Sequence, residues 1–303
     1  MTSIQQTVAR PLPRARRAFP LAPAIAGARP RQWVKNLLLL AGILFADRLA
    51  DGTAWLQALT ALCAFCAASS AAYLVNDVRD AEADRLHPAK RFRPVASGAL
   101  APRTALALAA ALAASALALG LALDPLFVAF LAGFGAIQAA YTLGLKRLLY
   151  ADVLAIAGLF VLRAAAGAEA IGVRISPWLL ACTALLALFL GLAKRRAELL
   201  LVASGRAPGR AVLARYSLAT VERLLVATAA AIGVVYTAYA LTGRYGPAMG
   251  ATVPFVAFGL CRYLYLARTR GAGEEPEHVL LHDLPTALCV VAWALTAVSA
   301  VVL

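Results

Sequence analysis

The sequence predicts an all-α membrane protein, a bundle of nine transmembrane helices joined by polar cytoplasmic loops. Of its 303 residues, 62% are hydrophobic and only 15% are charged, which is too apolar for a soluble domain. The apolar residues form long blocks, each near the ~20 residues that a bilayer-spanning helix needs. We therefore expect a multi-pass protein of the cell (inner) membrane. The predicted spans are residues 34–50, 54–75, 104–123, 126–143, 152–171, 177–193, 220–242, 248–267 and 284–303.

The basic residues predict how this bundle is oriented. If the N-terminus is cytoplasmic, 25 of the 29 Lys and Arg residues fall in cytoplasmic connections, and only Arg48, Arg174 and Arg244 fall in outer ones. Such an excess marks the cytoplasmic side. The net charge of +14 therefore indicates membrane orientation and predicts no nucleic-acid partner. We expect a cytoplasmic N-terminus, an outside C-terminus and an active site on the cytoplasmic side, where the connections are long.

The chain is predicted to form one functional domain. Residues 1–28 contain four arginines, and we expect them to be a disordered basic cytoplasmic tail attracted to anionic lipid. Residues 29–303 are expected to form a single intramembrane domain, because no polar block between the spans is long enough to fold separately. The five cysteines fall inside predicted spans, where packing is their expected role. The sequence leaves the oligomeric state open, a homo-oligomer included.

The segment 76–84 predicts a metal site. Asp77, Asp80 and Asp84 stand at positions i, i+3 and i+7, so a helix would place them on one face where an apolar run ends. Asn76 joins that face, whereas Glu82 points elsewhere. The cations that follow these acids are Lys90, Arg91 and Arg93. Because Mg²⁺ binds a few carboxylates together with phosphate oxygens, we expect a site for a magnesium-bound diphosphate. An ordinary charged loop is the alternative.

A second polar group is predicted at the junction of the fourth and fifth spans. Its members are Tyr141, Lys146, Arg147 and Asp152, and Arg163 follows three helical turns beyond Asp152. A mid-span arginine normally faces the bundle interior or a wet cavity and pairs with an anion. Two interpretations stay open: Arg163 binds a phosphate of the substrate, or it forms a stabilising salt bridge to Asp152 or Glu169.

The acidic motif resembles the first signature of the UbiA superfamily of intramembrane prenyltransferases, NDxxDxxxD, at Asn76, Asp77, Asp80 and Asp84. The run 93–98, RPVASG, is similar to the family's RPxxSG segment. The resemblance covers most of residues 29–303 and implies a UbiA-like helical bundle. The second family signature, DxxxD, is incomplete because Ile156 stands where the second acid would follow Asp152. This departure argues against a second magnesium site for a prenyl diphosphate.

Four shorter runs are similar to one branch of the superfamily, the decaprenyl-phosphate phosphoribosyltransferases. They are residues 29–36, 160–168, 194–199 and, more weakly, 273–277. The resemblance implies transfer of a 5-phosphoribosyl group from 5-phosphoribosyl-1-diphosphate (PRPP) to a polyprenyl phosphate, decaprenyl phosphate in that branch. Diphosphate would be released, and the product would serve the synthesis of cell-wall arabinan precursors.

The resemblance also implies roles for individual residues. Asp77, Asp80 and Asp84 would be catalytic and would hold Mg²⁺ on the diphosphate of PRPP. PRPP itself would contact Asn76, Lys90, Arg91, Arg93, Tyr141, Lys146, Asp152, Arg163 and Lys194. Arg31 and Lys35 would bind the phosphate of the lipid, whose anionic oxygen needs no general base. The alternatives are a prenyltransferase acting on an aromatic acceptor and a membrane transporter with Arg163 in its pathway.

Overall fold

The computed structural model of the protein describes residues 21–44, 48–87, 90–205, 211–243, 245–269, 279 and 282–302. Within these residues, all regular secondary structure is helical. Within those ranges, eight helices are long and apolar enough to cross a membrane. They are α3 (Gly52–Arg79), α5 (Pro102–Leu121), α6 (Pro125–Leu143), α7 (Ala151–Ala170), α8 (Pro177–Ala203), α9 (Leu218–Thr242), the pair α10 (Gly246–Gly250) and α11 (Val253–Thr269), and α12 (Leu284–Val302). The predicted fold class is confirmed.

Short helices connect and flank these spans. The α-helical ones are α1 (Leu21–Ala28), α2 (Ala41–Leu44) and α4 (Ala81–Arg85). The 3-10 helices are Pro30–Leu40, Lys90–Phe92, Leu145–Arg147 and Ala211–Arg215. Several spans begin with a standard N-cap: Asp51, Asp124 and Ser176 accept hydrogen bonds from the first free amides of α3, α6 and α8.

The first predicted span, residues 34–50, does not form one continuous α-helix in the described residues. Its place is taken by the 3-10 helix Pro30–Leu40 and the single turn α2, while residues 45–47 lie outside the described residues. This segment packs against α7 more closely than an ordinary helix pair does. A Cβ on Gly167 would overlap the carbonyl oxygen of Leu39, and Gly42 lies against the backbone of Ala168. The segment is therefore shaped by backbone contact with α7, and the described residues contain eight such helices where we predicted nine.

Residues 21–28 are also ordered where a disordered tail was predicted. They form α1, which packs on α3: Gly27 is buried, with Leu74 of α3 and Leu100 as its neighbours. The apolar sequence LAPAIAGA supplies the helix with a face to bury. The remainder of the predicted tail, residues 1–20 with their arginines, lies outside the described residues.

Helix α7 is the most buried of the spans and lies between the two halves of the bundle. On one side it meets a core centred on Phe65, whose ring stacks edge-on with Phe127 and Phe134 at centroid distances of 5.8 and 5.2 Å. On the other side, a second core is built around Phe189 and Tyr263 of α8 and α11. Polar residues of α7 are consequently held inside the protein and away from lipid.

Candidate active site

The acidic motif crosses a helix boundary instead of lying on one uninterrupted helix. Helix α3 ends at Arg79, Asp80 leaves the helical region with φ −92° and ψ 6°, and α4 begins at Ala81. Backbone hydrogen bonds from Asp80 N to Asn76 O and from Asp84 N to Asp80 O still keep the helical spacing. Asp77 and Asp84 are both buried, and Asp80 is half-buried. We call these three residues the acidic cluster.

Cations from three separate segments contact the acidic cluster. Arg93 Nη1 lies 2.6 Å from Asp84 Oδ2 and 3.5 Å from Asp77 Oδ1, so one guanidinium bridges the two buried carboxylates. Arg29 also donates to Asp77 Oδ1. Lys146 Nζ lies 3.6 Å from Asp80 Oδ2. Of the cations predicted from the sequence, the structure thus brings Arg93 and Lys146 to the acids.

Arg29 was missed as a site residue in the sequence. It precedes the 3-10 helix Pro30–Leu40 in the left-handed conformation, φ 54°, and its guanidinium lies 5.0 Å from the centre of the Tyr73 ring. The left-handed turn directs the chain so that Arg29 reaches α3. The sequence signal that could have identified Arg29 was its position at the start of the run 29–36, which resembles one branch of the family.

The acidic cluster offers oxygen ligands for a hard cation, although no three acidic, histidine or cysteine residues are grouped as a metal site in the described part of the chain. Asp77 Oδ2 is buried and has no hydrogen-bond partner among these residues. Leaving a buried charged oxygen unpaired is costly, so such an atom is suited to a ligand that supplies positive charge. Asp77 and Asp84, bridged by Arg93, are the carboxylates whose placement fits Mg²⁺.

The other residues predicted to bind PRPP lie on several different elements. Asn76 accepts a hydrogen bond from Thr142 Oγ1 at 2.8 Å, and this bond joins α3 to α6. Tyr141, the residue before Thr142, is half-buried. Arg91 is exposed and stacks on Phe92 at 4.8 Å. Lys90 belongs to the same 3-10 helix, and half-buried Lys194 belongs to α8.

The two residues predicted to bind the lipid phosphate lie on the 3-10 helix Pro30–Leu40. Arg31 is exposed, and Lys35 is half-buried with its ammonium 2.5 Å from Gln32 Oε1. Between them, Trp33 Nε1 donates to Ser70 Oγ at 3.0 Å and so fastens this helix to α3. The two cations are therefore carried on a segment that is anchored beside the acidic cluster through Arg29 and Trp33.

Arg163 is buried in α7 and pairs with a residue that we did not predict. Its Nε donates to Asn36 Oδ1 at 2.7 Å, and its guanidinium lies 4.7 Å from the centre of the Phe134 ring. The alternative of a salt bridge to Asp152 or Glu169 is wrong. Eleven residues of helix separate Arg163 from Asp152, a rise of roughly 16 Å, which an arginine side chain does not cover.

Asp152, predicted to contact PRPP, is fully buried at the start of α7. Its Oδ1 accepts from the Tyr216 hydroxyl at 2.6 Å, and its Oδ2 lies 3.4 Å from Arg195 Nε. Arg195 is itself fully buried and places Nη1 2.5 Å from Glu198 Oε2. We call Asp152, Arg195 and Tyr216 the buried cluster. The sequence analysis assigned no role to Tyr216 or Arg195, although Arg195 stands in the run 194–199 that carries part of the family resemblance.

The two clusters differ in how firmly their ions are held. Burial and then the hydrogen bond to Asp152 raise the pKa of the Tyr216 hydroxyl above its ordinary value, so Tyr216 stays protonated and donates. Removing one partner of a buried ion pair costs about 3–5 kcal/mol. The half-exposed pair of Lys146 and Asp80 is a partly solvated contact worth about 0–1 kcal/mol, so Lys146 can exchange Asp80 for an anionic ligand.

A mainly apolar cavity of about 840 Å³ lies among α7, α8, α9, α11 and α12. Side chains that line it include Leu186, Phe189, Ile232, Val256 and Trp293. Its size falls within the range of ligand pockets. It is separate from the acidic cluster in its lining residues, and its chemistry suits a hydrocarbon chain.

Comparison with known proteins agrees with this architecture. The model of the UbiA prenyltransferase family matches residues 36–282. The chain belongs to this family. It is 37% identical over 290 residues to the decaprenyl-phosphate phosphoribosyltransferase of Corynebacterium glutamicum, covering 91% of this chain and 86% of that protein. It is 34% identical over 288 residues to the protein of the same name from Mycobacterium tuberculosis, covering 93% and 95%.

A solved structure of a UbiA family member has the same fold. The UbiA homolog from Archaeoglobus fulgidus bound to GPP and Mg²⁺ superposes with a TM-score of 0.71 at 18% identity, over 93% of this chain and 100% of that one. The protein is accordingly an integral membrane transferase with the helical bundle of the UbiA family, as the resemblance implied.

Proposed function

We propose that this protein transfers the 5-phosphoribosyl group of PRPP to a polyprenyl phosphate, decaprenyl phosphate in its relatives, and releases diphosphate. The observation that carries the proposal is the likeness, at 34–37% identity over about nine-tenths of the chain, to proteins named decaprenyl-phosphate phosphoribosyltransferase. The missing acid at Ile156 supports it, since the site for a second metal on a prenyl diphosphate would be incomplete. A role in making cell-wall arabinan precursors belongs to the same proposal.

The acidic cluster is the proposed diphosphate site. Asp77 and Asp84, with Asp80 at the entrance, would hold Mg²⁺, which neutralises charge on the departing diphosphate. Arg29 pairs with Asp77, and Arg93 pairs with Asp84. Guanidinium groups can bind phosphate oxygens with the same bidentate geometry that they use for carboxylate oxygens. We propose that these arginines turn from the acids to the diphosphate when PRPP enters, so that the negative charge of the leaving group is met by groups already in place.

The remaining cations would bind the rest of the donor and the acceptor. Lys146, held near Asp80, is the best-placed candidate for the ribose phosphate, with Asn76, Lys90, Arg91, Tyr141, Arg163 and Lys194 as further proposed contacts. In the reaction, an anionic oxygen of the lipid phosphate forms a bond to ribose C1 as the bond from C1 to diphosphate breaks. That oxygen carries no proton to remove, so positioning and charge complementarity supply the catalysis.

The acceptor is proposed to approach along the 3-10 helix Pro30–Leu40. Arg31 and Lys35 would bind its phosphate, and the apolar cavity between α8 and α12 would take part of its chain. We place the acidic cluster and the N-terminus on the cytoplasmic side, because that arrangement puts most Lys and Arg residues in cytoplasmic connections.

Membranes containing the protein test this function when incubated with ribose-labelled PRPP, Mg²⁺ and polyprenyl phosphate. A parallel mixture contains prenyl diphosphate and an aromatic acid, the substrates of the alternative activity. We expect label to move from PRPP into the lipid in the first mixture only. Reaction in the second mixture alone would replace the proposed donor by a prenyl diphosphate, and reaction in neither, with the protein correctly inserted, would favour a transporter.

A further inference from the structure

Tyr216 of the buried cluster contacts the turn at Tyr150, which stands four residues after Lys146. We infer that Tyr216 is a positioning residue for Lys146, the proposed ligand of the ribose phosphate: its hydroxyl holds the turn at Tyr150, and that turn sets Lys146 opposite Asp80. The inference rests on the proposed function, because it states how the phosphate site of that reaction is assembled.

The Tyr216 side chain joins two loops through three contacts. Its hydroxyl accepts from the Tyr150 amide at 3.0 Å and donates to Asp152 Oδ1 at 2.6 Å. Its ring meets the Tyr150 ring edge-on at a centroid distance of 5.1 Å. Tyr216 is buried together with Val212 and Leu213, so the segment before α9 is packed onto the start of α7.

The turn that Tyr216 holds is strained. Tyr150 adopts φ 61° and ψ −22°, a left-handed conformation that a bulky residue rarely takes. Such a conformation persists only where the surrounding structure holds it. Here the Tyr150 amide and ring are both bound by Tyr216. Without the hydroxyl, the amide loses this partner and the turn is free to relax.

Relaxation of the turn would reach Lys146, which stands four residues earlier. The 3-10 helix Leu145–Arg147 contacts α6, α7 and the segment Ala211–Arg215, so it moves with the elements that Tyr216 joins. The Lys146–Asp80 ion pair is half-exposed and too weak to fix the loop by itself. The buried contacts of Tyr216 therefore determine where the Lys146 ammonium lies.

A double-mutant cycle on the KM for PRPP tests this link. Tyr216→Phe is expected to raise KM about tenfold, with kcat changed less, because a misplaced cation weakens binding of the phosphate. Lys146→Ala is expected to raise KM by a similar factor. Because Tyr216 acts through Lys146, the double variant should have about the KM of Lys146→Ala alone, whereas independent sites would multiply to about a hundredfold. Multiplication would overturn the inference.

Tyr236→Phe is the matched control. The Tyr236 hydroxyl is also buried and bonds to two side chains, Thr252 and Trp293, but it belongs to the core near α10 and α12. This variant removes a comparable pair of hydrogen bonds without contacting the loop of Lys146. Tyr236 lines the apolar cavity proposed for the acceptor chain, so the control is read only on the KM for PRPP. Any effect on that KM should multiply with the effect of Lys146→Ala, which separates a specific link from a general loss of stability.

A measurement without substrate keeps this inference separate from the proposed function. Asp80→Cys and Lys146→Cys together place two thiols where the ion pair lies, and a short bifunctional thiol reagent reports their separation. Adding Tyr216→Phe should slow cross-linking severalfold. An unchanged rate would overturn the inference even in an active enzyme, whereas a slowed rate in a protein that does not use PRPP would leave only the function refuted.

Tyr150→Gly serves if Tyr216→Phe does not accumulate as folded protein. Glycine removes the ring contact and opens the full range of backbone conformations at the turn. The variant should slow cross-linking and should not multiply with Lys146→Ala. A cross-linking rate and KM equal to those of the unsubstituted protein would overturn the inference.

Discussion

The acidic cluster and the buried cluster contain similar residues but are built for different purposes. In the acidic cluster, carboxylates of α3 and α4 meet the long side chains of Arg29, Arg93 and Lys146, all of them partly exposed. In the buried cluster, Asp152 and Arg195 have no exposure at all. Ion pairs that are open to solvent can exchange partners, whereas enclosed pairs cannot do so without a large loss of stability. The first cluster is suited to bind a ligand and the second to hold the helices around it.

The comparison also explains the incomplete second signature. Asp152 remains although the acid four residues later is replaced by Ile156. With Tyr216 and Arg195 as partners, Asp152 contributes to the packing of α7, α8 and the segment before α9. Asp152 Oδ2, like Asp77 Oδ2, is buried without a hydrogen-bond partner among the described residues, but it lies beside the fully buried Arg195. We propose that metal binds at the acidic cluster.

The largest expected effect comes from neutralising the acidic cluster. Asp77→Asn and Asp84→Asn should each lower kcat/KM by about 10³-fold or more, because charge on the leaving group would no longer be stabilised. Transfer of label to lipid measures this effect. Glu82→Gln, which neutralises an exposed acid of the same segment, is the control and should leave activity nearly unchanged. Substantial activity in both aspartate variants would refute the metal assignment.

Neutralising Asp152 should affect stability first. Asp152→Asn keeps an oxygen for the Tyr216 hydroxyl but removes one of the two carboxylates that pair with Arg195, the other being Glu198. The loss of unfolding free energy should therefore not exceed about 3–5 kcal/mol, the cost of a fully broken buried ion pair. Thermal unfolding in detergent measures the loss. The Mg²⁺ concentration that gives half-maximal activity should not change, and a large increase in it would make Asp152 a metal ligand.

Arg163 lies on α7 and bonds to Asn36 of the 3-10 helix Pro30–Leu40. Arg163→Ala should raise the apparent KM for PRPP about tenfold, a loss of ~1.4 kcal/mol, since it removes a buried charge and frees Asn36 on the segment that leads to Arg29. Asn36→Ala is the companion variant. If Arg163 binds PRPP directly, its substitution should have the larger effect; an unchanged KM in both would leave Arg163 a packing role only.

The smallest expected effect is the response of the buried cluster to alkaline pH. The pKa of Tyr216 is raised in the folded protein, so its stabilising effect is complete below the unfolded value of about 10 and is lost as pH rises further. Asp152 and Arg195 are the charged side chains that face this hydroxyl. The difference in thermal stability between wild type and Tyr216→Phe should therefore shrink above pH ~10. A constant difference would show that the hydroxyl proton contributes nothing.

The sequence predicted the helical bundle well because long apolar runs are local signals. It failed at residues 34–50, where a glycine on α7 lets the backbone of Leu39 approach, and no property of the segment itself reveals that contact. The acidic motif was recognisable from its spacing, and the nearness of Arg93 followed from its position nine residues after Asp84.

Partners distant in sequence could not be predicted in the same way. Asn36 and Arg163 are 127 residues apart, and Tyr216 and Asp152 are 64 apart. Each pair depends on which helices are neighbours, which composition and periodicity do not determine. Arg29 was assigned no role because it stands at the edge of a segment predicted to be a tail, and only the left-handed turn that follows α1 brings it to Asp77.

Binding of Mn²⁺, measured by electron paramagnetic resonance in the presence of PRPP, tests the central claim most directly. The wild-type protein and Asp152→Asn should both bind the ion in a PRPP-dependent manner, and Asp77→Asn and Asp84→Asn should not. Loss of Mn²⁺ binding in Asp152→Asn together with its retention in the other two variants would contradict the account.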